Sequence, residues 1–341
     1  MTLTPPNILR SAYAELVCTD LDRSRWFYAD VLGLVVTAET DDAIYLKGFD
    51  EFLHHSLVLR RGDVPALGKL AFRLSGEDQL QIAADYYRAL SCPVRNVEAG
   101  TTLGIGAAVQ VQDPLGYPIE FFYESEHTDR MHQQYHLQPS NALTRLDHFN
   151  VTVPDPKAAQ KYYLDLGFRL SESIEDGEHL YAAWLFRKPT THDLALTSGD
   201  GPRLHHIAFS AAERDQILNT CDILGAYEAE SLIERGPGRH GVTNAFYLYL
   251  RDPDGHRIEL YTADYYTGDP DLPPIKWHVT NPRRRSWWGH DVRTSWFDES
   301  STVLDLDGQP VPIRTQVASE RAAAVGADGL GGLSGQLERT S

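Results

Sequence analysis

A unit that occurs twice constrains this chain more than any other feature. Asp113-Pro114-Leu115-Gly116-Tyr117-Pro118-Ile119-Glu120-Phe121 is matched by Asp252-Pro253-Asp254-Gly255-His256-Arg257-Ile258-Glu259-Leu260, with the same turn and the same acid at the same offset. Upstream, Leu70-Ala71-Phe72 answers Ile207-Ala208-Phe209, and Arg25-Trp26-Phe27-Tyr28 before Leu32-Gly33 answers Lys161-Tyr162-Tyr163 before Leu166-Gly167. A repeat of this length predicts two copies of one architectural unit. The copies differ where chemistry is at stake. The second has His148, His206 and Glu259 where the first has Tyr13, Lys69 and Glu120. Two imidazoles and a carboxylate therefore converge in one half only.

With 341 residues, 42% of them hydrophobic, the chain is long enough for two domains with substantial cores. Cys18, Cys92 and Cys221 lie far apart without metal-ligand spacing and read as buried thiols of a reducing compartment. Met1-Thr2-Leu3-Thr4-Pro5-Pro6 has neither the basic nor the apolar stretch of an export signal, and no later segment has membrane-spanning length. The expectation is a cytoplasmic protein with no membrane partner. A net charge of −17 also argues against a nucleic-acid partner. Against that acidity, Arg235, Arg239 and His240 cluster in a Gly-rich stretch, and Arg283-Arg284-Arg285 precede Ser286-Trp287-Trp288. Such basic islands suggest a small anionic ligand, although any single surface arginine is more often paired with a nearby acid.

The patterning predicts an α+β fold of tandem βαβββ modules, two homologous domains, and an aromatic-rich C-terminal extension. Domain limits are set at residues 1–140, 141–265 and 266–341. In the second copy, alternation from Leu146 to Val153 puts His148, Asn150 and Thr152 on one face of a strand. Pro154-Asp155-Pro156 then opens a helix that closes at Gly167. Strands follow at Tyr181 to Phe186, Asp193 to Leu196 and Leu204 to Ser210, with a helix from about Ala212 to Leu224 and then a basic loop. A hairpin pairs Ala245 to Leu250 with Arg257 to Thr262 across Asp252-Pro253-Asp254-Gly255. Trp277, Trp287, Trp288 and Trp296 make the extension too apolar for a free linker, so it is expected to pack over the second copy. The Gly-rich end from about Ala322 is expected to be mobile.

A lone histidine is more often a hydrogen-bonded core residue than a ligand. Here, however, His148, His206 and Glu259 occupy equivalent strand positions of one repeat unit and face one side. Two imidazoles and one carboxylate leave adjacent coordination positions open, which suits iron(II) or manganese(II) and chemistry with dioxygen. With Leu204-His205-His206-Ile207-Ala208-Phe209, the Asp252 to Leu260 motif and the paired modules, the chain resembles the vicinal oxygen chelate superfamily over roughly residues 10 to 300. Within it, the chain looks like the two-domain type I extradiol catechol dioxygenases. Asp147-His148-Phe149-Asn150, Thr191-His192-Asp193, Asn244-Ala245-Phe246-Tyr247-Leu248-Tyr249 and Arg284-Arg285-Ser286-Trp287-Trp288-Gly289 are most similar to the branch acting on 3,4-dihydroxyphenylacetate.

The resemblance implies that His148, His206 and Glu259 hold Fe(II), with Mn(II) as the alternative, and that O2 is the co-substrate. It implies a catechol that bears a carboxylate, chelated through both ring oxygens and cleaved at the 2,3 bond to 5-carboxymethyl-2-hydroxymuconate semialdehyde. His192 is then the acid and base beside oxygen, Asn150 a contact to it, and Tyr249 and His240 partners of the substrate oxygens. Trp184 forms a wall of the pocket. Arg235 with Arg284 or Arg285 would grip the carboxylate. The family also implies a homotetramer. Competing expectations are a dioxygenase for another carboxylated catechol, a non-oxidative isomerase of the same superfamily, or a binding protein on the same fold.

Overall fold

The computed structural model describes residues 3–328. Strand β1 (Ile8–Cys18) leads into α1 (Leu21–Arg25), which widens into a π-helical turn over Trp26–Val31. Asp20 starts that helix because its carboxylate accepts the otherwise orphaned N–H groups of Asp22 and Arg23. β2 (Val35–Glu39), β3 (Ala43–Lys47) and β4 (Leu57–Arg61) complete one βαβββ module. β5 (Ala66–Leu74), α2 (Asp78–Ala89), β6 (Val94–Val97), β7 (Ala108–Gln112) and β8 (Pro118–Phe122) repeat it.

The second half does the same with β9 (Arg145–Val153), α3 (Pro156–Asp165), β10 (Arg169–Glu175), β11 (Leu180–Phe186) and β12 (Leu194–Ser198). Its other module is β13 (Arg203–Ser210), α4 (Arg214–Ala226), β14 (Ile233–Arg239), β15 (Phe246–Arg251) and β16 (Arg257–Thr262). The extension carries β17 (Ile275–His278), α5 (Ser295–Asp298), β18 (Thr302–Val303) and α6 (Glu320–Asp328). The fold is thus the expected α+β pair of tandem modules. Among the described residues, no helix is long and apolar enough to cross a membrane.

Strand order is β2-β3-β4-β1-β5-β8-β7-β6 in one sheet, with β18 added to β5, and β14-β15-β16-β13-β9-β12-β11-β10-β17 in the other. The registers coincide. Tyr13 lies opposite Ala71, which lies opposite Glu120; His148 lies opposite Ala208, which lies opposite Glu259. The repeated Asp-Pro-x-Gly turn enforces this register. Gly116 and Gly255 adopt φ of +99° and +88°, which side chains with a Cβ rarely tolerate. Asp113 and Asp252 cap the turns by accepting the N–H groups of Tyr117 and His256.

One continuous core joins the halves. Phe72 meets Phe149 and Phe168 edge to face at 5.9 Å each, and Tyr117 donates to the Thr152 carbonyl at 2.6 Å. Cys18 lies in that core, while Cys92 and Cys221 are only half-buried, and all three are free thiols.

Two stretches differ from the sequence expectation. The basic Gly-rich segment is edge strand β14 rather than a loop, its register against β15 slipping between Arg235 and Gly238. Gly and Pro are tolerated there because an edge strand has one unpaired side. In the extension Trp296 is buried, but Trp287 and Trp288 stay about half exposed, Trp287 under the Arg283 guanidinium and Trp288 edge to face with Phe246. Of the end expected to be mobile, Ala322–Asp328 continue α6 and residues 329–341 lie outside the described residues.

The extension is fastened by two buried carboxylates. Glu172 accepts from the Thr243 N–H, the Tyr265 hydroxyl and the Trp277 indole at 2.6–2.7 Å. Glu234 accepts from Arg257 Nη2 at 3.0 Å, Arg251 Nη2 at 2.8 Å and the Ser295 hydroxyl at 2.8 Å, and Arg257 also binds the Ser295 carbonyl. Burial opposes ionisation of Glu234, but the two arginines outweigh it and bring its pKa from 4.5 to about 2. Such a depressed acid contributes stability above pH 4.5 that is lost as pH falls towards about 2. An acid titration followed by tryptophan fluorescence should show the Trp296 segment released in that window, and Glu234→Gln should remove the transition.

In the first half the acid of the repeat is neutralised internally. Glu120, fully buried, accepts from Lys69 Nζ at 3.0 Å, Gln110 Nε2 at 2.7 Å and the Tyr13 hydroxyl. Removing one partner of such a pair strands a buried charge. Lys69→Met should cost about 3–5 kcal/mol in chemical denaturation, whereas Lys69→Met with Glu120→Leu should recover most of it.

Candidate metal centre

The second half gathers His148 from β9, His206 from β13 and Glu259 from β16. His148 Nε2 lies 3.3 Å from His206 Nε2 and 3.0 Å from Glu259 Oε2, and His206 Nε2 lies 3.1 Å from the same oxygen. Each residue is at most 2% exposed. Edges of about 3 Å are what three neighbouring ligand positions require around an ion with bonds of about 2.1 Å. The other oxygen, Oε1, is buried with no hydrogen-bond partner, His240 Nε2 standing 3.6 Å away. The donor set and this unsatisfied oxygen fit a divalent first-row ion.

Two β-bulges aim these ligands. Asp147 and His205 are the extra residues where the β9–β13 register slips, each immediately before a ligand. Both use the rotation to hydrogen-bond that ligand. Asp147 Oδ2 lies 2.7 Å from His148 Nδ1, and His205 Nδ1 lies 2.7 Å from His206 Nδ1. His205 donates from Nε2 to the Trp296 carbonyl at 3.0 Å, so its Nδ1 must accept from His206. That fixes the His206 tautomer with the Nε2 lone pair turned to the site. Burial also pushes His206 down to about 4, keeping it neutral. At His148 burial works the same way, but Asp147 and Glu259 outweigh it and raise the pKa, a sign of how strongly the spot draws positive charge.

Sequence reasoning used Asp147 and His205 only as motif neighbours. Their signal lay in the dipeptides Asp147-His148 and His205-His206 set against Ala12-Tyr13 and Gly68-Lys69 in the first half. The latter bulge at the same places without polar side chains.

A cavity opens on the triad. It is lined by Asn150, Trp184, His192, Arg235, His240, Tyr249 and Arg285, all expected at the site, by Tyr261, which strand alternation puts on the same face as Glu259, and by Thr197, Trp296 and Glu320, which were not expected. His192 stacks on His148 at 3.7 Å between ring centres, and its Nδ1 meets the Thr191 hydroxyl at 3.0 Å. Asp193 is engaged elsewhere, accepting from the N–H groups of Arg187 and Lys188 and from Ser11. Burial, reinforced by His148 and Lys188, pushes the His192 pKa well below its usual value. Asn150 Oδ1 accepts from Thr197 at 2.9 Å, which leaves its amide N–H groups free.

His240 donates from Nδ1 to the Arg285 carbonyl at 2.7 Å, so Nε2 accepts from the Tyr249 hydroxyl at 2.9 Å. The Tyr249 proton is thus directed to His240, and a ligand oxygen would compete for it. The Arg235 guanidinium lies over the rings of Trp296 and Tyr247 at 4.5 and 4.9 Å, with Nε and Nη1 buried and unpartnered. Arg284 does not line the cavity. Its Nη1 donates to the Asn281 carbonyl, and its Nε and Nη2, with Nε and Nη2 of Arg285, go to Glu320.

Cys18, Asp252 and His256 also lie close enough together to hold an ion, but His256 donates from Nε2 to the Val17 carbonyl and faces Ser301 with Nδ1. The imidazole has no lone pair to spare there.

Duplicated βαβββ modules around one two-histidine, one-carboxylate cluster define a class, and the sequence agrees. The profile of the Glyoxalase/Bleomycin resistance protein/Dioxygenase superfamily matches residues 10–121 and 145–260, and the chain belongs to this family. It is 31% identical over 301 residues to a manganese-dependent 2,3-dihydroxybiphenyl 1,2-dioxygenase of Geobacillus genomosp. 3, covering 84% of this chain and 95% of that one. A metapyrocatechase of Geobacillus stearothermophilus is 27% identical over 316 residues, 87% of this chain and 94% of the relative. Among solved structures, homoprotocatechuate 2,3-dioxygenase from Brevibacterium fuscum, in its anaerobic complex with 3,4-dihydroxyphenylacetate, is 54% identical with a TM-score of 0.91. That match covers 92% of this chain and 99% of the other.

The bulge at His205 makes metal affinity sensitive to a residue that touches no metal. His205→Phe should weaken it by about 10- to 100-fold in competition with a chelator while leaving the secondary structure intact.

Proposed function

We propose that this chain is an extradiol dioxygenase that inserts both atoms of O2 into 3,4-dihydroxyphenylacetate at the 2,3 bond, giving 5-carboxymethyl-2-hydroxymuconate semialdehyde. One observation carries the reading: a single cavity is lined both by the His148, His206 and Glu259 cluster and by Arg235, whose Nε and Nη1 have no partner. A catechol carrying a carboxylate has matching groups at its two ends. Its relatives with named activities cleave aromatic diols, which supports the same reaction class.

Iron(II), or manganese(II), held by the three ligands supplies positive charge that acidifies a chelated catechol hydroxyl and a redox path between substrate and dioxygen. The remaining work falls to the chain. Asp147 and His205 keep His148 and His206 oriented as ligands. Trp184, Ile174, Ala182 and Val242 form an apolar wall that holds the ring and excludes water. Tyr249 and His240 form a hydrogen-bonded pair beside Glu259 that receives the substrate oxygen. His192, neutral and bound only through Nδ1, accepts a proton at Nε2 and returns it to the oxygen side as the ring opens. Asn150 offers its amide to the same region. Arg235 binds the carboxylate in a desolvated setting where a charge-assisted contact is strong, and Arg285, paired with Glu320, stands beside it.

Protein reconstituted with iron(II) and given 3,4-dihydroxyphenylacetate in air should consume oxygen and form the yellow ring-opened product; no uptake by metal-replete protein would sink the proposal. Arg235→Ala should raise KM for this substrate by about tenfold to a hundredfold, the loss of one contact of about 1.5–3 kcal/mol, with little effect on unsubstituted catechol.

A further inference from the structure

Glu320, the first residue of α6, places a carboxylate inside the cavity at the end where the arginines stand. It is 3% exposed. Its Oε1 accepts from Arg285 Nε at 2.8 Å and from Arg284 Nε at 3.3 Å, and Oε2 is bound by the second arm of Arg285. The chain on either side of it is seated on the pocket wall, since Ala318 before the helix and Ala323 within it pack against the cluster that contains Trp184 and Val242. Arg235, on the same side, gives one N–H to the Arg285 carbonyl at 2.8 Å and keeps two donor atoms unpartnered. The cavity therefore holds a guanidinium with two unpartnered donor atoms beside one whose Nε and Nη2 are engaged by an internal acid.

We propose that Glu320 is a specificity-determining residue: by engaging the Nε–Nη2 edge of Arg285 and placing a negative charge there, it limits this end of the cavity to one ligand carboxylate, bound by Arg235, and repels a second. The inference rests on a carboxylated aromatic ligand, as argued above, and deepens that reading. A negative charge about one side chain away from a bound carboxylate disfavours any further anionic group, whereas a neutral residue there would free Arg285 to bind it. A carboxylate serving only as a staple for α6 would affect all ligands alike, so discrimination between one and two carboxylates separates the roles.

The test compares phenylacetate with phenylmalonate, which carries a second carboxylate on the same carbon, in direct binding titrations of the metal-loaded, full-length protein. Wild type should bind phenylacetate better. Glu320→Gln should shift the ratio of the two dissociation constants towards phenylmalonate by about tenfold. An unchanged ratio, a shift the other way, or equal weakening of both ligands would overturn the proposal. Glu320→Asp keeps the charge while disturbing the packing, so it should keep the wild-type ratio; the Gln ratio in this variant would equally overturn it. Neither ligand is a catechol, so the result is independent of turnover. Oxygen uptake by wild type with 3,4-dihydroxyphenylacetate tests the parent reading separately.

Discussion

A carboxylate buried at the same place in both halves sets the problem that the rest of the structure answers. Neither Glu120 nor Glu259 can be ionised in the interior without positive charge nearby. In the first half Lys69 supplies it, Tyr13 and Gln110 add hydrogen bonds, and the position is closed. In the second half two imidazoles replace the lysine and the tyrosine, and one carboxylate oxygen is left without a partner. An ammonium on its own tether satisfies the acid permanently. Two imidazoles meet only one of its oxygens and leave the other where a cation from outside fits. The chemical capacity of the chain rests on that substitution, made within a backbone register that is the same in both copies.

The sequence makes most of this legible because the repeat fixes register and the ligands fall at equivalent places in it. The β-strands around His148, His206 and Glu259 are where alternation puts them. What alternation cannot show is a bulge. Period-two reasoning turns Asp147 and His205 away from the ligands beside them, and only the slipped register brings them to the Nδ1 atoms of those ligands. It also hides a likeness between the halves. His55 precedes β4 by the same offset that His192 precedes β12, and it lies against Tyr13 at 4.7 Å much as His192 lies against His148. The first half has no imidazole at the positions of His148 and His206, yet it has one next to them.

Glu320 was illegible for a different reason. It reaches Arg284 and Arg285 across more than thirty residues of irregular chain, with no periodicity or turn signal pointing to the pairing. The same holds for Trp296, whose place between His205, Tyr249 and Arg235 depends on the route of the extension. That route is held by close approach. A Cβ on Gly241 would overlap the Arg283 carbonyl, so the arginine run can lie against the end of β14 only because that residue is glycine.

The half that lacks a site is nevertheless part of the site's support. Ser11, next to the bulge in β1, donates its N–H to Asp193 Oδ1 at 2.9 Å and its hydroxyl to the Asp147 carbonyl at 3.2 Å. Lys188 binds the same carbonyl at 2.6 Å and the His192 carbonyl at 2.7 Å. The backbone carrying His148 and the backbone carrying His192 are thus held from behind by one strand of the other half and one partly buried ammonium. Catalytic geometry needs tolerances of about half an ångström, which β-strands hold better than loops. His192 sits just before β12 rather than in it, so the pairing of its neighbour Asp193 with Ser11 does for this residue what strand pairing does for the metal ligands. The first half, without such a cluster, is still constrained in its packing surface, because the backbone beside His148 and His192 is positioned against it.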